Sequence, residues 1–377
     1  MQRILATAAS VTLWAATAAA AGPAAGGCEQ TDLFVHAGKD WYRIPSIAAV
    51  GEKTVLAFAS RRKGSLGDFG HETDVVLRRS IDGGRTFAAM QTLASRKDTD
   101  IHHGPVVVER VSGRVFKFCR FWPARANPQK TVSTTPYEEM KRLGWVDHVL
   151  HSDDAGATWS DPAPLTLDYP KGATSCATGN GVQGVQLRGG RMLIQGGYVA
   201  EGKKHICIFL SDDAGRTWRR GASAALDDIV REFVMAELAD GSLYANVRSN
   251  RGHRWVAISR DRGESFGQFE MDRQLPDPAC HAGLARLPGG GAATSLAFAN
   301  PTGGGRKGLT VRLSRDGGKT WPVSRLVQAG PSAYCDVAAG PGSAVYCLYE
   351  GGAKPYETIT LARFDLGWIT ASPSADR

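Results

Sequence analysis

The sequence predicts an all-β fold, a six-bladed β-propeller of four-stranded antiparallel sheets. The pattern S-x-D-x-G-x-T-W/F recurs at Ser80–Phe87, Ser152–Trp159, Ser211–Trp218 and Ser314–Trp321, with a degenerate copy at Ser259–Phe266. Each copy follows an alternating apolar run (DVVLRRS, HVLHS, ICIFLS, WVAIS, TVRLS) and precedes another strand, which places it in a hairpin turn. Successive copies start 72, 59, 48 and 55 residues apart. At that spacing the 336 residues from Thr31 to Leu366 hold about six radially arranged units.

The residue types in the repeat have a physical reason. Asp bonds the amides of its own turn, Gly takes a positive φ, and the aromatic ring plugs the turn onto the sheet. The repeat is an Asp-box, and its role is structural. Forty-five glycines agree with many turns, and 42% hydrophobic against 22% charged residues excludes wholesale disorder.

From the N-terminus, residues 1–21 read as a cleaved signal peptide: one arginine, an apolar run from Ile4 to about Ala16, and Ala-x-Ala at Ala19–Ala21. The run is too short and too alanine-rich for a span, and no later stretch approaches ~20 apolar residues. The mature protein is expected to be exported, periplasmic or extracellular, without stable membrane insertion. A lipid-anchored Cys28 would need a leucine shortly before it, directly after the apolar run. Residues 22–30 form a flexible Ala/Gly-rich segment, 31–368 the propeller domain, and 369–377 a frayed tail. Helix signals are rare; the best is Thr135-Pro-Tyr-Glu138, a capping box with Pro at the first helical position and Gly144 as a stop. It falls in a long insertion from about Pro123 to Trp145, expected at the rim.

A net charge of +8 is carried by dispersed rather than clustered lysines and arginines. This fits an acidic substrate and does not support nucleic-acid binding. The seven cysteines are scattered without a C-x-x-C pair, and an odd count leaves at least one thiol free. Cys119, Cys207 and Cys347 lie in strand-like apolar runs and read as small buried hydrophobes. Asp100, His102 and His103 form no complete metal motif, and no metal or organic cofactor is implied. GGGRKG lacks the second spaced glycine of a phosphate loop and leads into a strand. Phe121 and Trp122 are candidates for pocket and rim, with strand packing the plainer explanation.

The chemistry-bearing residues are Arg43 in WYRIPS, Arg62 and Asp68 in RRKGSLGDFGHETDVVLRRS, Glu232 and Arg248 in REFVMAELADGSLYANVRSN, Arg306 in ANPTGGGRKG, Tyr334 in GPSAYCDVA and Glu350 in CLYEGG. From about residue 35 to residue 366 the chain resembles the secreted bacterial exo-α-sialidases. That resemblance implies that Arg43, Arg248 and Arg306 clamp the substrate carboxylate, with Arg62 as a further basic residue. It implies Asp68 as general acid/base, Tyr334 as nucleophile, Glu232 as its base, and Glu350 as the ion-pair partner that orients Arg43. The segment ATGNGVQGVQL departs from the family pattern at Asn180 and Val182, as does His102-His103-Gly-Pro105, and the pocket wall is expected to differ there.

A sialic acid carries its carboxylate on the anomeric carbon, so an ionised nucleophile would be repelled and a neutral phenol would not. Tyrosine is the known sialidase exception among glycosidases. The implied activity is retaining release of terminal sialic acid from glycans, glycoproteins or glycolipids by a monomeric enzyme. Two alternatives stand beside it: a hydrolase of a related Kdn- or Kdo-type sugar, and a non-catalytic sialic-acid-binding propeller, which would not need Asp68 or the Glu232/Tyr334 pair.

Overall fold

Each S-x-D-x-G-x-T/S turn is closed by the same small network. At Ser152–Trp159, Ser152 Oγ donates to Asp154 Oδ1 at 2.8 Å and accepts from the Gly156 amide at 2.7 Å. Asp154 in turn accepts from the Thr158 amide at 2.8 Å and the Thr158 hydroxyl at 2.6 Å. The other four copies repeat these bonds. The computed structural model describes residues 27–124, 134–289 and 294–371.

The glycines of the five turns have φ between 78° and 90°. A Cβ on them would strike the preceding sheet: 2.6 Å from Leu56 at Gly156, 2.6 Å from Phe116 at Gly215, 2.7 Å from Leu193 at Gly263, 2.8 Å from Tyr244 at Gly318. The first copy, at Gly84, meets Tyr346 near the C-terminus at 3.2 Å. The turns therefore staple each sheet to its neighbour around a ring.

The fold is all-β and propeller-like, built of antiparallel sheets of about four strands. The strands fall into five hydrogen-bonded sheets rather than six separate ones, because the four strands from Asp40–Val50 to Gln91–Ala94 and the four from Thr99–Val108 to Ala163–Pro164 join at one parallel bridge, Thr73 to Asp100, to make eight strands. The N-terminal strand Glu29–Val35 pairs antiparallel with Thr358–Asp365 and completes the C-terminal sheet, so the chain closes on itself. Ala48, Val106, Gly184, Ala236, Leu284 and Ala338, all on or beside the first strand of a sheet or half-sheet, line a common cavity of about 250 Å³ on the axis.

Several expectations shift. The first strand starts at Glu29, inside the segment expected to be flexible. The last helix, Leu366–Thr370, runs past 368: Asp365 caps the Trp368 amide at 2.7 Å, and Trp368 and Ile369 are buried. The short helix is Tyr137–Arg142, with Pro136 as N-cap instead of first helical residue and without a side-chain cap bond; the Tyr137 amide donates to the Ala173 carbonyl at 2.8 Å. Tyr137 and Met140 pack into the core beside Trp122 and Tyr169, so burial outweighs the local capping signal. The signal-peptide reading of residues 1–21, part of the insertion (125–133) and the tail from 372 lie outside the described residues. All seven cysteines are free thiols, six of them buried. Among the described residues no helix is long and apolar enough to cross a membrane.

Candidate active site

The strand Asp40–Val50 loses its regular register between Arg43 and Ser46, and Ile44 takes a φ of 59°, a costly conformation for a β-branched residue. Its surroundings hold it there. The Ile44 amide donates to Glu350 Oε1 at 2.7 Å, and the Ile44 carbonyl accepts from His103 Nε2. Burial and the Lys117 charge keep His103 neutral. The distortion turns Arg43 into a cleft of about 880 Å³ at one mouth of the axis.

Glu350, wholly buried, accepts from Arg43 Nε at 2.5 Å and from the Tyr334 amide at 3.2 Å. One carboxylate thus fixes both an arginine and the segment bearing the tyrosine. The loop after Thr54–Lys63 curls around the buried Arg62, whose Nη1 donates to the carbonyls of Leu66 and Gly67 at 2.8 and 2.9 Å and to Asp68 Oδ1 at 3.0 Å. Asp68 projects into the opening with its side chain 62% exposed, 3.7 Å from Arg43. Partial burial would raise its pKa, but Arg62 and Arg43 more than offset this and hold it below the ordinary carboxylate value.

Glu232 on Ile229–Glu237 and Arg248 on Leu243–Ser249 are sixteen residues apart on one hairpin, and Tyr334 arrives from the turn before Cys335–Ala339. Tyr334 Oη donates to Glu232 Oε1 at 2.7 Å; Arg248 Nη1 donates to Glu232 Oε2 at 2.6 Å and to Tyr334 Oη at 2.7 Å. Burial and the facing Glu232 push the phenol well above its ordinary pKa, so it is neutral at rest. Burial alone would raise Glu232 as well, yet Arg248 and His281 bring it below the usual carboxylate value, leaving a ready base.

Arg306 enters from the loop before Lys307–Ser314, donating to Tyr356 Oη at 2.9 Å and the Ala279 carbonyl at 3.2 Å. The guanidinium carbons of Arg43, Arg248 and Arg306 lie 5.7, 5.7 and 5.3 Å from the centroid of the Tyr334 ring. All eight residues singled out in the sequence meet around this cleft, seven lining it and Glu350 beneath it. Three convergent guanidinium groups can hold one carboxylate over the phenol.

Two further residues at the tyrosine, Tyr356 in the wall and the buried His281, were not singled out in advance. Tyr356 lies under Arg43 at 4.2 Å and bonds Arg306, but a tyrosine in a glycine-rich loop carries no local signal. His281 stacks obliquely on Tyr334 at 5.4 Å, and burial pushes its pKa down to about 4. Trp122 and Asn180 line the cleft, whereas Phe121 packs against His148 and Val182 belongs to the core. His102 pairs with Asp100 at 3.1 Å and stacks on Phe69 beside Asp68, while His103 turns to Ile44; among the described residues no three His, Cys, Asp or Glu side chains could share an ion.

An all-β propeller with a deep, arginine-rich mouth defines the class of protein, and the comparisons place it within a family. The sequence profile of the BNR repeat-like domain matches residues 55–347, and the chain belongs to that family. It is 32% identical over 367 residues to a sialidase of Micromonospora viridifaciens, across 90% of this chain and 54% of the relative. It is 27% identical over 367 residues to an exo-alpha-sialidase of Aspergillus fumigatus, across 88% and 86% of the two chains. A solved Hadza microbial sialidase superposes with a TM-score of 0.78 at 26% identity, over 87% of this chain and 66% of that one. The chain spans about half the length of the Micromonospora relative.

Proposed function

We propose that this chain is a retaining exo-α-sialidase, releasing terminal sialic acid from glycans, glycoproteins or glycolipids. The observation that carries the reading is the Tyr334–Glu232–Arg248 triangle, with all three sides at 2.6–2.7 Å, flanked by Arg43 and Arg306. Arg43, Arg248 and Arg306 bind the carboxylate and place the anomeric carbon over Tyr334 Oη. Glu232 takes the phenolic proton as the oxygen attacks, and Asp68 protonates the departing glycosidic oxygen. Water activated by Asp68 then cleaves the tyrosyl-sugar bond, regenerating the phenol with net retention. Arrival of the substrate carboxylate beside Arg43 offsets the positive field on Asp68 and raises its pKa, which supplies the acid form.

The eight-stranded sheet, read as two blades sharing one bridge, gives a six-bladed propeller, a count supported by the Asp-box contacts between neighbours. The N-terminal composition supports export to the periplasm or medium, and the mature enzyme is read as a monomer. The test is release of methylumbelliferone from its α-glycoside of N-acetylneuraminic acid, with Asp68→Ala alongside. Turnover that the substitution abolishes upholds the reading. No turnover on that glycoside but turnover on the Kdn or Kdo glycoside moves the substrate; binding without turnover on any makes the chain a lectin.

A further inference from the structure

Seven lysine and arginine side chains line the cleft. Four have carboxylate partners: Arg43 with Glu350, Arg62 with Asp68, Arg120 with Asp147 and Arg248 with Glu232. Arg306, the third arginine of the proposed carboxylate clamp, has no carboxylate partner among the described residues. Two cations remain, Arg231 and Lys204, and among the described residues neither forms an ion pair.

Arg231 is held in place by several independent features. Neighbours on a strand normally face opposite ways, but the register breaks between Ile229 and Phe233, and Arg231 and Glu232 both line the cleft. Its side chain lies across Gly197, where a Cβ would come within 2.8 Å of Arg231 Cδ. Ser175, at a φ of 52°, presents its carbonyl and its hydroxyl to the guanidinium, the latter at 2.7 Å. Burial and the Arg120 charge both work against the Arg231 cation, and what acts in its favour is a phenol and two thiols, Tyr169, Cys176 and Cys207, with no carboxylate paired to it among the described residues. A partly buried guanidinium with only neutral acceptors keeps a strong preference for an anion.

The geometry points to a second anion subsite beside Glu232, formed by Arg231 and Lys204, that binds a further carboxylate or sulfate on the same glycan. It rests on the sialidase reading for the first subsite. The preferred substrate class is then a glycan with two negative groups close together, such as a disialylated or sulfated sialyl end.

The experiment compares kcat/KM for sialyllactose, disialyllactose and a sulfated sialyllactose, using the unmodified protein, Arg231→Gln and Lys204→Gln. At least one dianionic substrate is expected to exceed sialyllactose by about tenfold, with that ratio cut severalfold or more by Arg231→Gln and less by the exposed Lys204→Gln. Which dianion gains identifies carboxylate or sulfate. Equal kcat/KM for all three substrates, or a gain that survives Arg231→Gln, overturns the subsite. Failure of the sialidase reading looks different, since no substrate is then cleaved. In that event calorimetric affinities of the same three glycans for the unmodified protein and for Arg231→Gln decide by the same ratio, and a ratio of one overturns the subsite.

Discussion

Glu350 and Tyr334 hold each other by two hydrogen bonds: the Tyr334 amide donates to the Glu350 carboxylate at 3.2 Å, and the Glu350 amide donates to the Tyr334 carbonyl at 2.9 Å. The same carboxylate takes Arg43 Nε at 2.5 Å, so the tyrosine and the first arginine share one buried anchor. Replacing Glu350 by Ala leaves the buried Arg43 with only the exposed Asp68, 3.7 Å away, as counter-charge. Stability is expected to fall by about 3–5 kcal/mol, with KM raised because Arg43 is no longer aimed. Urea denaturation and steady-state kinetics check this; an unchanged midpoint and KM would remove Glu350 from its anchoring role.

Tyr334→Phe deletes the oxygen proposed to attack while leaving the Arg248–Glu232 pair at 2.6 Å intact. Folding should survive and kcat should fall by about 100-fold or more. Mass spectrometry with a fluorinated sialosyl donor should find a tyrosyl adduct on the unmodified chain and none on the variant. An adduct on another residue would reassign the nucleophile.

Gly156 has a φ of 82°, and a Cβ there would lie 2.6 Å from Leu56 in the other half of the eight-stranded sheet. Gly156→Ala is expected to cost about 1–3 kcal/mol through backbone strain and overpacking. Gly113, also at positive φ but with open space around it, should lose less on the same change. Thermal melts of the two variants compare the contact directly, and equal losses would mean that the Asp-box does not staple adjacent sheets.

Hydrogen bonds from the Thr158 and Thr217 hydroxyls and amides hold Asp154 and Asp213 at about 2. Because the folded pKa lies below the unfolded value, these turns contribute fully above about pH 4 and lose that contribution as the pH falls toward 2. Denaturation midpoints should drop across this acid window. Doubly substituted Asp154→Asn, Asp213→Asn protein should be less stable at neutral pH but show a shallower acid decline.

For activity the sign runs the other way. In the proposed mechanism Asp68 must be protonated to act as acid, and Arg62 and Arg43, outweighing burial, hold it below its ordinary value in the free protein. The ratio kcat/KM should therefore fall as pH rises through a value below the ordinary aspartate pKa, and Arg62→Gln should move that descending limb upward in pH. A limb unmoved by the substitution would assign it to another group.

Much of the frame was legible in the chain because its signals are local. An Asp-box closes within eight residues, and its alternating flanks report strands whatever surrounds them. The helix near Tyr137 shows the limit of such signals: a capping box was readable at Thr135–Glu138, but the buried Tyr137 and Met140 set the register and the Ala173 carbonyl received the first amide. The site residues were recoverable through family likeness, since a tyrosine in GPSAYCDVA resembles any core tyrosine on its own.

What the sequence by itself determined was the repeating turn and the alternation of strands; the candidate site residues came from family likeness. What only the tertiary structure decided was who meets whom. Arg43 and Glu350 stand 307 positions apart, and Tyr334 and Glu232 stand 102 apart. Ring closure sets these encounters, and a register break aims Arg231 into the cleft beside Glu232. The reason is physical: a turn bonds its own backbone, whereas a charge becomes a clamp or a subsite only when distant strands exclude water around it and decide which counter-charge it lacks.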